Sequence, residues 1–425
     1  MTEELIGTAL LLAILVTAFN RGFFSYPSFF LLTGLIFILF KLFFRITKID
    51  LSRLTVILKF VLLTSFILFI YIPGGIYQTN FTALAIINIL PLIFLPVLYI
   101  LLFQKNREHL KKRLYILFIL LAVVERILII IASPEPVIDV FVILKEAPLK
   151  LLAGVNPYTA IYSGVYQGTV TDYYPYWPYT IFTMLPAVLL FRDPRILLLL
   201  ADVIGGIVIY FWGSRNYQSI LLSMIYLFRP NSIFIIEQSW LTPLLFMFSA
   251  LIFWSLIKNR NILAGLLMGI VGGIQPLYLV LAPLTLRLWK NIGKTVRIFL
   301  LTLSLGVLPF FLWNKNAFID KTIGVYFKPV SEIKTIPVHL SLNLNTLFYT
   351  ISGKDISPVP ALAILGILTA YLYKKSQKSQ QKQILSVVIF FYLFYYLFRQ
   401  SFINYYYYCA SLLIFWLAGL LKAKR

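Results

Sequence analysis

The groups best placed to do chemistry lie between two apolar runs, in residues 134–175. Asp139 heads the stretch Val140–Leu152, whose apolar residues recur at helical spacing with Lys145 and Lys150 among them. That pattern predicts an amphipathic helix lying along a membrane surface, kinked or interrupted at Pro148. Gly154 would be its C-cap, and Asn156-Pro157 a turn. A carboxylate just before such a helix has two readings. Aspartate is a common N-cap. It is also a general base that takes the proton of a hydroxyl as that oxygen forms a bond. Glu146 in the helix, Asn156 and Tyr158 in the turn, and Tyr174 and Trp177 in the run Asp172–Pro178 add hydrogen-bonding and aromatic groups. They suit a sugar platform or an interfacial anchor.

Other ionisable groups fall inside apolar runs: Glu125 and Arg126 in 114–133, Asp202 in 196–212, and Glu237 in 218–257. Charges in hydrocarbon are costly, so they pair with one another or line a cavity. Asp202 and Glu237 are therefore candidates for an internal ion-pair network or for substrate contacts. His339, with Asn343 and Asn345, either meets sugar hydroxyls or caps a helix, and Asn404 opens the last apolar run. The second long loop and the end of the run 384–398 carry the cations Lys315, Lys321, Lys328, Lys334 and Arg399. With 2 His and 1 Cys in the chain, no metal site is expected. Walker, Gly-x-Gly-x-x-Gly and His-Glu-x-x-His motifs are lacking, which leaves nucleotide-driven work and zinc hydrolysis without support.

The elements that must position these groups follow from composition. Of 425 residues, 60% are hydrophobic and only 12% charged, with a mean hydropathy of +0.90. So few charges cannot cover a water-soluble globule, and so many apolar residues exclude a disordered chain. The expected fold class is an all-α polytopic membrane protein of about fourteen transmembrane helices, within a range of about 11–14. Apolar runs lie near 5–19, 24–44, 54–72, 81–103, 114–133, 176–191, 196–212, 218–235, 240–257, 262–286, 298–313, 357–373, 384–398 and 402–421. Glu3 and Glu4 occupy the place where a signal peptide carries positive charge, so the first run is read as a span. The net charge of +22 resolves into short basic loops: Lys41–Arg53, Lys105–Arg113, Arg192 with Arg195, Arg287–Arg297, Lys374–Lys382 and the C-terminus. Such loops orient helices and meet anionic lipid, with no nucleic acid partner implied. They are assigned to the cytoplasm, which places the long loops 134–175 and 314–356 outside. Residues 218–257 form one span, or two broken near Arg229-Pro230-Asn231 or Trp240. Two keep the 287–297 cluster with the other basic loops.

The order of residues from Ile138 to Tyr158 resembles the first outer loop of GT-C superfamily glycosyltransferases that use polyprenyl-phosphate sugars. The nearest look-alikes are the GPI mannosyltransferase I catalytic subunit and the family 87 mannosyltransferases. The residues that carry it are Asp139, Val140, Phe141, Ala147, Gly154, Asn156, Pro157, Tyr158, Tyr174 and Pro175. Further along, Leu200–Val203 with Tyr210, Tyr226–Pro230 to Glu237, and Ala264-Gly265 through Gly269 and Gly273 resemble later family segments, as does Phe402–Tyr407 more loosely. Arg229 stands where the family has Asn, and Gln275 where it has Lys. The resemblance covers roughly residues 115–420. It divides the chain into an N-terminal four-helix extension, 1–110, without a family counterpart, and a catalytic module, 111–425. Some relatives carry Asp-x-Asp, whereas position 137 is Val.

The resemblance implies transfer of a sugar, mannose above all, from a polyprenyl or dolichyl phosphate to a glycan, lipid or protein hydroxyl. It implies Asp139 as base, an inverted product, and no cofactor beyond the lipid-phosphate donor as co-substrate. The departing phosphate then needs positive charge aimed at it, for which the candidates are Arg399, Lys328 and Lys334. It further implies a multi-pass protein of the plasma membrane with the site outside, or of the endoplasmic reticulum in a eukaryote. A lipid-linked-oligosaccharide flippase or secondary transporter, which needs no outer-face base, stands as the rival. A non-catalytic assembly subunit is a third reading.

Overall fold

The computed structural model describes residues 2–45, 49–72, 74–104, 108–165, 171–324, 338–376, 379–398 and 400–422. Among these the chain is all-helical and without strands, apart from two isolated β-bridges. In order, the helices are α1 (Thr2–Ala18), α2 (Tyr26–Arg45), α3 (Leu51–Tyr71), α4 (Phe81–Ile93), α5 (Leu95–Phe103), α6 (Glu108–Ala132) and α7 (Asp139–Leu152). Then come α8 (Tyr179–Phe191), α9 (Arg195–Trp212), α10 (Tyr217–Leu227), α11 (Ser232–Glu237), α12 (Thr242–Ile257), α13 (Asn261–Gly272) and α14 (Leu281–Thr285). The last are α15 (Ile292–Trp313), α16 (Lys315–Thr322), α17 (Leu344–Ser352), α18 (Pro358–Lys375), α19 (Gln380–Leu397) and α20 (Ile403–Lys422). Among the described residues, 7 helical segments are long and apolar enough to cross a membrane: α2, α3, α4 with α5, α6, α9, α15 and α20.

One hydrophobic core runs from Ile6 in α1 to Leu421 in α20. Residues 1–110 contribute to it directly. Phe66 of α3 and Phe118 of α6 lie 6.0 Å apart, and both rings meet Phe228, at 5.3 and 5.7 Å. Aromatic pairs at such spacing add about 0.5–1.5 kcal/mol beyond area burial.

Contacts fix the direction of several helices. The Tyr217 hydroxyl donates to Leu101 O (2.9 Å) and Gln218 to Thr55 (2.8 Å), so α3 and α10 begin, and α5 ends, at one end of the molecule. Arg53 and Lys111 lie at this basic end. Glu237 binds the α3–α4 connection at the opposite end, where α6 finishes, which we call the carboxylate end.

Two apolar runs depart from the sequence-based map. The run 176–191 is not a crossing. Its helix α8 begins at the carboxylate end, where Tyr179 N donates to Gly273 O (2.8 Å) after the last turn of α13. It packs along α7, and the chain emerges at Arg195, whose guanidinium donates to Ser133 O at 2.7 Å. Arg192 and Arg195 therefore follow a helix that ends on the carboxylate side, not in a basic loop. The run 262–286 is two pieces. Gly265 and Gly269 of α13 face Thr295 and Thr302 of α15, so these helices run side by side in the same direction. The chain between them folds back through Pro276–Leu288, after a break at Gly273-Ile274-Gln275.

Residues 218–257 also separate into two oppositely directed helices. Ser223 of α10 donates to Gly206 O and the Tyr226 hydroxyl to Asp202, making α10 antiparallel to α9. In α12, Thr242 meets Asn404 and Ser249 meets Tyr408, so α12 runs parallel to α20. Asn231 (φ 64°) and Ser239 (φ 57°) make the two breaks, one at each place the sequence offered.

Candidate functional site

Helix α7 forms where the spacing of apolar residues predicts it. Its buried stripe is Phe141, Ile143, Leu144, Ala147 and Pro148. Pro148 lies inside the helix and does not interrupt it, because that stripe is held against α8. The helix ends at Ala153, not Gly154. Gly154, at φ +75°, is the residue after the cap, and Val155 N donates to Lys150 O (2.9 Å) while Gly154 N donates to Leu151 O (3.0 Å). This paired closure needs a left-handed residue at that point, which glycine supplies without strain.

Asp139 is the first helical residue, and Ile138 is the N-cap, with no side-chain cap bond. The half-buried carboxylate is held at both oxygens. Val140 N donates to Oδ1 at 2.8 Å, and the Tyr173 hydroxyl donates to Oδ2. Tyr173 comes from the far end of the same loop, so loop closure aims the acid.

A second carboxylate stands nearby. Burial, then the charges of Glu237 and Asp139, push the Tyr77 hydroxyl above its ordinary value. Glu237 itself is fully buried and fully occupied. Ile76 N (2.8 Å), Tyr77 N (2.9 Å), Ser133 Oγ (2.6 Å) and Gln238 Nε2 (3.1 Å) all donate to it. Charge-assisted bonds of this kind are about twice as strong as neutral ones. Glu237 thus ties the α3–α4 connection and the end of α6 to α11. A Cβ at Gly75 would run into Glu237 Oε1 and Gln78 Nε2. Gly75→Ala is expected to cost about 1–3 kcal/mol by overpacking, read as a lower melting temperature in detergent.

Arg195 is the third fastener. Its buried guanidinium pairs with Asp193 (2.6 Å), donates to Ser133 O and Pro134 O, and lies 4.9 Å from the Phe141 ring. It joins the end of α6, the start of α7 and the start of α9. Charge counting along the sequence reads Arg195 as a topology signal. The Asp193-Pro194-Arg195 order was the available sign of a local cap and pair. Arg195→Met leaves two backbone carbonyls without this donor, at about 1–3 kcal/mol. Faster proteolysis within 134–138 is the expected readout.

The other sequence candidates scatter. Glu146 accepts from Ser163 N (3.2 Å) and from the Ser163 hydroxyl, pinning the loop. Asn156 Oδ1 accepts from Tyr158 N at 2.9 Å, closing the turn that Asn156-Pro157 predicts. Tyr158, Tyr174 and Trp177 do not form an open platform. Tyr158 and Tyr174 are each 1% exposed, and with partly buried Trp177 they join Phe310 and Phe318 in a small core under the loop. Asp202 is paired with Arg126 at 2.6 Å, between α6, α9 and α10. His339 stacks on Tyr349 (3.5 Å) and contacts Asp355 at 3.1 Å, while Asn343 N-caps α17. Asn404 lies at the start of α20, its Oδ1 buried without a partner among the described residues. Arg399, Lys328 and Lys334 lie outside the described residues.

No motif or spacing in the sequence marks Arg21. It sits in the α1–α2 turn, 5.2 Å from the Phe234 ring of α11, with no carboxylate at salt-bridge distance among the described residues. Compared with known proteins, the chain matches no family model and no curated protein.

Proposed function

We propose that this membrane protein is a glycosyltransferase that moves a sugar, mannose by resemblance, from a polyprenyl or dolichyl phosphate to an acceptor hydroxyl. The observation that supports this most is Asp139: a half-buried carboxylate at the head of an amphipathic helix, oriented by Val140 N–H and the Tyr173 hydroxyl. As the acceptor oxygen bonds the anomeric carbon, Asp139 takes its proton and the lipid phosphate departs. In one displacement the anomeric configuration inverts. Arg399, Lys328 and Lys334 remain the proposed cations for that phosphate. No cofactor is part of the proposal.

The proposal keeps about fourteen crossings in a GT-C-like arrangement. Losing 176–191 and dividing 262–286 leaves the count unchanged and both termini on the basic side. By the positive-inside rule that side is cytoplasmic, and Asp139 faces outward. There nucleotide sugars are absent, so a lipid-linked donor fits. The plasma membrane, or the endoplasmic reticulum in a eukaryote, is the proposed location. The test is purified, reconstituted protein given a panel of labelled polyprenyl-phosphate sugars, with Asp139→Asn alongside. Transfer from one donor by the wild type alone supports the reading. No transfer from any donor sinks it.

A further inference from the structure

The basic end carries a groove unrelated to Asp139. It encloses about 470 Å3 between α18, α19 and the returning chain before α15. Its walls are apolar, among them Val280, Leu284, Leu365 and Phe390, and it ends at Leu286 and Tyr373. Three observations say what fills it. First, Arg287 adjoins the lining, next in the chain to Leu286 and packed on Tyr373. Its guanidinium lies 3.8 Å from the Tyr373 ring and donates one N–H to Tyr373 O. A guanidinium has five such donors, and among the described residues Arg287 has no carboxylate partner. Second, the surrounding charge is of one sign. Lys290, Lys374 and Lys375 flank Arg287 and Tyr373, and no Asp or Glu occurs between Asn261 and Ile319 or after Asp355. Third, Thr369 Oγ1, within the lining, is buried without a partner among the described residues. It lies one helical turn from Tyr373, about 6 Å along α18.

We propose that this groove binds an anionic glycerophospholipid of the basic-side leaflet. An acyl chain fills the apolar walls, the phosphate sits at Arg287, and an ester carbonyl accepts from Thr369. Thr369 stands one helical turn, about 6 Å along α18, from Tyr373, the residue Arg287 packs on and donates to, so donor and cation lie along one wall in the order of ester and phosphate. A polyprenyl phosphate has no acyl ester carbonyl to accept from the Thr369 hydroxyl. The lipid would hold α18, which is otherwise largely exposed, against α14 and α19.

The test is native mass spectrometry of the full-length protein released from nanodiscs containing equal phosphatidylglycerol and phosphatidylcholine. Phosphatidylglycerol should be retained about fivefold over phosphatidylcholine, the preference worth one cation near a lipid surface. Arg287→Gln should abolish that preference. Gly366→Leu is the second variant. A Cβ at Gly366 meets no atom within 4 Å, so the side chain enters the groove without striking the fold, and retention of both lipids should fall. Equal retention by the wild type overturns the proposal. So does an unchanged preference in Arg287→Gln, or unchanged retention in Gly366→Leu. Displacement of phosphatidylglycerol by equimolar polyprenyl phosphate overturns the assignment to a glycerophospholipid.

Discussion

Asp139→Asn is expected to lower sugar transfer by about 10²–10⁴-fold, the range that general-base catalysis contributes. The substitution changes charge and basicity with almost no change in shape. An amide oxygen still accepts from Val140 N, which stands 2.8 Å from Oδ1 in the wild type. Ile138, not Asp139, is the N-cap of α7, and the new amide N–H can donate to the Tyr173 hydroxyl, which donates to Oδ2 in the wild type. Insertion, melting temperature and donor binding should therefore stay near wild type while transfer disappears. A base acts on the bond-forming step, so the loss falls on kcat and the donor KM changes little. Wild-type turnover in the variant would remove Asp139 from the mechanism. Loss of donor binding together with transfer would make it a structural residue instead.

Much of this site was legible in the sequence, and the parts that were not share a cause. Helix α7, its turn at Asn156-Pro157 and the Asn343 cap rest on local spacing, and local spacing survives folding. The run 176–191 misled because a short apolar helix buried in protein has the composition of one buried in lipid. Both ends of α8 lie at the carboxylate end, by the Tyr179 N–Gly273 O and Arg195–Ser133 O bonds, which composition does not record. Arg195 misled because counting cations by loop presumes that each apolar run crosses. Glu237 was visible as an acid in an apolar stretch, but its amide donors at Ile76 and Tyr77 lie 161 and 160 positions earlier. Only tertiary structure brings them together. The aromatics Tyr158 and Tyr174 read equally as platform or packing, and burial at 1% places both in the loop's own core.

The pair Arg126–Asp202 carries the largest expected effect on stability. Both side chains are buried, at 0% and 1% exposure, and lie 2.6 Å apart. Arg126 Nε also donates to Asp202 Oδ2 (2.7 Å), its Nη1 to Ala122 O (3.0 Å) and its Nη2 to Leu227 O (2.8 Å). Asp202 Oδ1 accepts from the Tyr226 hydroxyl at 2.7 Å. Arg126→Met removes the cation and leaves a carboxylate with one neutral donor among packed helices. Breaking a buried pair from one side costs about 3–5 kcal/mol, chiefly from the charge left behind. Arg126→Met with Asp202→Leu removes both charges and leaves only the Tyr226 hydroxyl and two carbonyls to be satisfied. The double variant is therefore expected to be more stable than Arg126→Met alone, although it carries more substitutions. Denaturation of wild type, both single variants and the double variant in one detergent measures the coupling. Additive losses would show that the two groups do not depend on each other. The same cycle separates two roles for Asp202. As a purely structural partner of Arg126, it leaves the double variant with near-normal donor affinity. As a substrate contact, it leaves the double variant stable but weak in binding.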